Sequence, residues 1–547
     1  MKKMKFKYSW VPILFTGLVA CDINNDLDPI LDNTPAPPRV VLTAGSADFS
    51  NYIAVGASFS AGFTDGALFK AGQKNSFPNI MSSKFAMANG EAFTQPLMND
   101  NTGGMSSNGQ VVLNPRFYFN GKVPTLLNKL PSTIVGVPAE NAPNFKNYGI
   151  PGAKSIHFLA PGYGNPAGLA TVPRTANPYF VRMNPTQPTL IAEIVSKQPT
   201  FFSLSEIGGN DLLDYAIAGG IDPTAITPKT TFDTAFNAIV NTLTQVPNAK
   251  GVVANLPYVT SFPYFTTVPH APLDPTNLEF ASQIPTLNVV YGALNQIYAD
   301  PAINQPNRIV QFSTKKASPV VIKDKNLADL SATISSVLGN PNNTAFIGFI
   351  QSLGLPAQAA PLVAQLLGQQ YGQARPATPE DLLVLPSSSI IGTVNKDTAE
   401  ALMNVNPLIT EALANQFSTE GITLPLADKW VLTKEEAEIV KQATDNYNET
   451  IKNVSEAKEL AFVDFNALLK QAATNGIAFD NYILTTEFVL GGLISLDGVH
   501  LTARGYALMA NKMLEAIDNQ YGSNFKEATD GLAKADDYPT NYSPALK

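Results

Sequence analysis

The chain has 547 residues, with 36 Lys or Arg against 44 Asp or Glu, a formal net charge of −8 at pH 7. That balance argues against nucleic acid as a partner, because neutralising phosphates requires clustered basic side chains. Length alone would suggest three or four domains. No metal-binding motif, phosphate loop or dinucleotide fingerprint is visible, so no metal or cofactor is implied.

The amino terminus carries Lys2, Lys3, Lys5 and Lys7, then the apolar run Val11 to Ala20, then Cys21, the single cysteine. A basic segment followed by an apolar stretch too short to span a bilayer predicts a signal peptide over residues 1–20. Leu18-Val19-Ala20-Cys21 resembles the bacterial lipobox. The resemblance implies cleavage before Cys21 and lipidation of its thiol, with more than one acyl chain needed for a stable anchor. It places the protein in a bacterial cell envelope, tied to the outer membrane and facing the periplasm or the surface. With that thiol lipidated, no disulfide forms. Asp22, Asp26, Asp28 and Asp32, then Pro35, Pro37 and Pro38, predict an extended, flexible tether over residues 21–48.

One elaborated domain is expected over 49–525. Tyr52-Ile53-Ala54-Val55 reads as a short buried strand running into Gly56-Ala57-Ser58-Phe59-Ser60-Ala61-Gly62. Flanking glycines permit a tight turn that exposes the Ser58 hydroxyl at the carboxyl edge of a sheet. This is not the nucleophile elbow G-x-S-x-G, because Ser60 stands where the second glycine belongs. A second glycine turn, Asn147-Tyr148-Gly149-Ile150-Pro151-Gly152-Ala153, follows. A helix over Thr189 to Lys197 then leads to a strand at Phe201 to Leu204, and directly after it comes Ile207-Gly208-Gly209-Asn210-Asp211. Phe232, Phe236, Ile239 and Leu243 share a helical face, and Gly251 to Asn255 reads as a buried strand.

From about 263 to 430 lies a large insertion. Its segment Phe346 to Leu367 is strongly apolar but interrupted by Gly354, Pro356 and Pro361, which rules out a transmembrane helix. Two readings remain for it, the core of a subdomain or a cover over the site. Thr433 and Glu436 form a capping box for a long helix with Ala437, Val440, Tyr447 and Ile451 facing inward, and Leu460 to Val463 is the last core strand. Asp497-Gly498-Val499-His500 then sets an acid three residues before one of only three histidines. An imidazole can take a proton from a nucleophile near neutral pH, and an adjacent carboxylate fixes its tautomer. Thr502 caps a final helix that buries Tyr506, Ala510, Met513 and Ile517 and stops near Gly522, leaving 526–547 as a tail. His157 and His270 fall in Pro/Gly-rich loops and are expected to be solvated, without a role.

The four segments around Ser58, Gly152, Asn210 and His500, in that order, resemble the GDSL or SGNH hydrolases. The resemblance implies an α/β, flavodoxin-like fold of three layers, a parallel sheet between helices, with a large insertion. It implies Ser58 as nucleophile, and Asp497 with His500 as acid and base. The oxyanion donors would be the N–H groups of Ser58 and Gly152 and the side-chain amide of Asn210. Such a chain hydrolyses carboxylic esters, either acyl lipids or acetylated glycans, through an acyl-enzyme. The alternative from another class is a noncatalytic binding lipoprotein on the same scaffold. The family block usually reads Gly-Asp-Ser-Leu; here Ala57 and Phe59 replace the acid and the leucine, and Leu501 follows His500 where proline is frequent. Activity should survive the loss of the acid, but the turn loses an acceptor for its backbone N–H groups.

Overall fold

The computed structural model describes residues 39–184, 189–407 and 409–546. The expected signal peptide, Cys21 and the first part of the tether lie outside them.

Five parallel strands form the central sheet. They are β1 (Tyr52–Gly56), β2 (Asn147–Gly149), β3 (Phe201–Ser205), β4 (Lys250–Ala254) and β5 (Ala461–Val463), in the spatial order β5-β4-β3-β1-β2. β1 lies between β2 and β3, with Ala54 opposite both Asn147 and Ser203. Every residue of β1 and β3 is buried, which is why both read as nearly continuous apolar runs rather than as alternating ones. β2 falls where the sequence marks only a turn; its three residues contain too little apolar sequence to signal a strand, and pairing with β1 alone makes it one.

Helices flank the sheet in two groups, an α/β arrangement. In the first, α1 (Phe77–Phe85) packs on the carboxyl-terminal helix Ala503–Tyr521, which also crosses β4 and β5. In the second, α2 (Leu190–Ser196), α3 (Asn210–Ile217), α4 (Lys229–Thr244) and α5 (Lys434–Ala457) pack together, and α5 again reaches β4 and β5. The carboxyl-terminal helix is α6. The helix starts follow the sequence signals closely. Thr433 N–H and Oγ1 lie 2.9 Å from Glu436 Oε2 in the capping box, and Thr502 Oγ1 accepts from Gly505 N–H at 2.9 Å. Gly522, at φ +73°, closes α6 in the left-handed region.

The insertion builds a second core. Helix Leu278–Ala299 buries Phe280, Ile284, Leu287, Tyr291 and Leu294, and the apolar segment splits into Thr344–Ser352 and Ala360–Tyr371. The break between them bends the path by 112°. Phe346, Ile350, Ala364 and Leu367 are all buried in this second core, so of the two readings of Phe346 to Leu367 the packing answers to a subdomain core. No single helix among the described residues is long and apolar enough to cross a membrane. Trp430 packs against both cores.

Two stretches read as tether and tail are packed in their described parts. Leu42 and Ala47 are buried, and Ser46 N–H donates to Tyr521 O at 2.8 Å. In the tail, the Tyr542 ring meets Phe69 edge-on, and the buried Arg116 donates to Ser543 O at 2.7 Å.

Candidate active site

Ser58 opens a single helical turn, Ser58–Ala61, at the carboxyl end of β1. Gly56 is required there by space: a Cβ would lie 2.1 Å from Ser60 Oγ and 2.6 Å from Ser205 O. At the other end Gly62 takes φ +78°, a conformation costly for any residue with a Cβ. Ala57 precedes the turn and supplies no side-chain cap. A carboxylate from the neighbouring strand does so instead. Glu206, one residue past β3, accepts the N–H groups of Ala57 at 2.7 Å and Ser60 at 2.9 Å on Oε1, while Ser205 Oγ donates to Oε2. Burial pushes the Glu206 carboxyl up to about 7, opposing the hydrogen bonds from Ser205 Oγ and from the N–H groups of Ser60, Ala57 and Phe59.

Asn210 and Asp211 begin α3 at the end of β3 and together hold the turn that follows β2. Asn210 Nδ2 donates to Ala153 O at 3.0 Å. The two Asp211 oxygens accept Ser155 N–H at 2.8 Å and Ser155 Oγ at 2.7 Å, and Ile150 N–H donates to Gly56 O at 3.0 Å. Gly152 is thereby fixed beside Asn210, exposed and at φ +79°. Among the described residues, the N–H groups of Ser58 and Gly152 donate to no acceptor of the chain. Both therefore remain available to an external oxygen.

The Asp497–His500 turn precedes α6. His500 Nδ1 lies 2.9 Å from Asp497 Oδ2, an oxygen that also accepts Gly66 N–H at 2.8 Å. Oδ1 accepts the N–H groups of Val499 and His500, both at 2.8 Å. Burial by itself would raise the Asp497 carboxyl, but the attraction to the His500 ring in its protonated form and the hydrogen bonds from that ring and from the two N–H groups outweigh it. The carboxylate is held well below its usual range. With Nδ1 donating to that carboxylate, Nε2 is left as the acceptor of the ring. Phe63 and Phe59 flank the imidazole with ring centroids 4.5 and 5.7 Å away, which restricts its rotation.

Ser58, Asn210 and His500 line one cavity of about 40 Å³, together with Glu206, Leu213, Leu256 and Phe262. Gly152 adjoins it through the Ala153–Asn210 hydrogen bond. A second cavity, of about 60 Å³, shares Phe59, Pro257 and Phe262 with the first. Its remaining wall includes Phe465, Leu493, Leu508 and Met509, with Lys512 the one charged residue lining it.

Two buried acids near the site carried no signal in the sequence. Glu206 is one. The other is Asp65, whose Oδ1 accepts Leu496 N–H at 3.1 Å while Oδ2 has no partner. Burial raises Asp65 to about 7, with the nearby charge of Asp497 adding to the rise and the Leu496 and Arg116 interactions opposing it. The histidines expected to be solvated are half-buried. His157 Nδ1 accepts Lys154 N–H at 3.0 Å and its ring stacks on Tyr163 at 4.4 Å; His270 is held in the insertion by Val320 N–H, which donates to its carbonyl at 3.1 Å. Among the described residues, no group of three or more His, Cys, Asp or Glu side chains could hold a metal ion.

Compared with known proteins, the chain matches no family model, no curated protein and no solved structure.

Proposed function

We propose that the chain is a serine ester hydrolase of the SGNH type. The observation that carries this reading is the convergence of Ser58, Asn210 and the Asp497-held His500 on one cavity at the carboxyl ends of adjacent parallel strands, where open α/β sheets place their ligands. His500 Nε2 takes the proton of Ser58 as its oxygen attacks the ester carbonyl, and Asp497 stabilises the imidazolium that forms. The tetrahedral oxyanion is received by the N–H groups of Ser58 and Gly152 and by Asn210 Nδ2. An uncharged amide suits this role because it donates without carrying an ion into the hole. His500 then returns its proton to the leaving alcohol and activates the water that hydrolyses the acyl-enzyme.

The apolar cavity beyond Phe59 and Phe262 favours an acyl chain over acetate, since each methylene removed from water contributes roughly 0.8 kcal/mol. The competing reading is a carbohydrate O-acetylesterase. Purified mature protein, given p-nitrophenyl esters from acetate to decanoate together with acetylated sugars, should turn over butyrate or longer esters faster than acetate, and Ser58→Ala should abolish the activity. Preference for acetylated sugars would support the competing reading, and no turnover of any ester would support a noncatalytic binding protein. Anchorage in the envelope belongs to the same proposal: Cys21→Ser should abolish lipid incorporation, and membrane retention without acylation would refute it.

A further inference from the structure

The turn that presents Ser58 has an unusual source of support. In a helical turn the residue before the first helical position ordinarily supplies a side-chain oxygen to the N–H groups two and three positions on. Here that residue is Ala57, which has no such oxygen, and the positions two and three on are Phe59 and Ser60. The carboxylate of Glu206 interacts with both of these N–H groups and with Ala57 N–H as well, arriving from a strand 149 residues away in sequence. It leaves the N–H of Ser58 untouched. That selection matters chemically: an acceptor that took the Ser58 N–H would occupy a donor the oxyanion needs, whereas one that takes its neighbours fixes the plane in which that N–H points.

We propose that Glu206 is the positioning residue of the Ser58 turn, a cap supplied from across the sheet that orients the nucleophile and its N–H toward the cavity. Glu206 lies at the end of β3, whose Ser205 pairs with Gly56 of β1, so the register of the sheet places its carboxylate beneath the turn. Ser205 Oγ holds Oε2 and leaves Oε1 to the backbone. Glu206 is itself at φ +48°, a left-handed backbone conformation uncommon for glutamate, which carries the chain on to Gly208 and Asn210. One residue thus joins the nucleophile turn to the segment bearing the amide of the oxyanion site.

The inference rests on the esterase reading, and the experiment separates the two. Wild type, Glu206→Gln, Glu206→Ala and the double variant Ala57→Asp/Glu206→Ala are compared for kcat and KM on a butyrate ester and for the rate of Ser58 labelling by a fluorophosphonate. Circular dichroism selects the folded fraction. Glutamine keeps an oxygen for the backbone and an amide for Ser205 Oγ, so Glu206→Gln should stay within about tenfold of wild type in kcat. Glu206→Ala should lose about a hundredfold or more in kcat and in labelling rate, with KM changed less than about threefold. In the double variant, the carboxylate introduced by Ala57→Asp would cap Phe59 and Ser60 locally and should recover at least about tenfold of that loss. A folded Glu206→Ala with wild-type kcat and labelling overturns the proposal while leaving the esterase reading intact. If Glu206→Ala does not fold, a folded double variant with restored labelling supports the proposal, and a folded double variant that remains inert overturns it. Inactivity of wild type toward both reagents overturns the esterase reading and the proposal with it.

Discussion

Asp497 commits every acceptor it has to one geometry: the His500 ring, two N–H groups of its own turn and Gly66 N–H. Replacing it by asparagine puts an amide where Nδ1–H must be accepted and turns the imidazole to the wrong tautomer. Asp497→Asn should lower kcat by about 10³- to 10⁴-fold with the fold retained, and near-wild-type turnover would require another partner for His500. Asp65 shows the opposite balance, because burial raises its carboxyl to about 7. A raised carboxyl adds stability that is fully present below its unfolded value and is lost as pH rises through the folded one. Thermal stability should therefore fall from about pH 4 to 7, and Asp65→Asn should flatten that fall in a melting series across this range. A slope unchanged by the substitution would show that Asp65 is ionised in the fold throughout. Asp497, held low, works in the other direction: its contribution is present above its unfolded value and disappears as pH falls below it. Ser58, Asn210, Asp497 and His500 were legible because each sits in a short local pattern. Glu206 was not, since its meaning depends on the register of β1 against β3, and nothing within a few residues of it announces that pairing.

At the scale of elements, the amphipathic helices and buried strands announced themselves through periodicity and caps. The Thr433–Glu436 capping box and the Thr502 cap lie where the sequence marks them. The short strand β2 did not, because Asn147-Tyr148-Gly149 becomes a strand only by pairing with β1. The apolar segment Phe346 to Leu367 was ambiguous for a related reason: hydrophobicity marks burial but not against what. It packs into the second core, and none of its residues lines either cavity near Ser58. Two substitutions separate these regions. Phe346→Ala should destabilise the protein by about 3 to 5 kcal/mol yet leave the order of preference among acyl esters unchanged. Leu508→Trp, which fills the apolar cavity from α6, should depress octanoate turnover at least about tenfold relative to acetate. The expected contrast would be reversed if Phe346→Ala alone altered the acyl profile.

Across the whole described chain, the insertion is joined to the site at its base rather than laid over it. Tyr264 N–H donates to Gly498 O at 3.0 Å, and a Cβ on Gly498 would approach both the Tyr264 backbone and the Leu385 side chain. Tyr264 at the start of the insertion and Leu385 within it thus meet the turn carrying Asp497 and His500. A separate link ties the insertion to α5: Arg375 is paired with Asp324 and Asp381 at 2.7 and 2.6 Å, and Asp381 also accepts Lys434 N–H at the start of α5 at 3.2 Å. Apart from Arg375–Asp381, these couplings join residues far apart in sequence and could not be read from it. If this architecture serves Ser58 as a nucleophile, a fluorophosphonate should find that hydroxyl alone in the purified protein, and peptide mass spectrometry maps where the adduct forms. The expected result is a single stoichiometric adduct on Ser58, absent from Ser58→Ala and slowed by at least about a hundredfold in His500→Ala. An adduct that persists undiminished in Ser58→Ala, or that maps to Ser60, would remove Ser58 from the role of nucleophile.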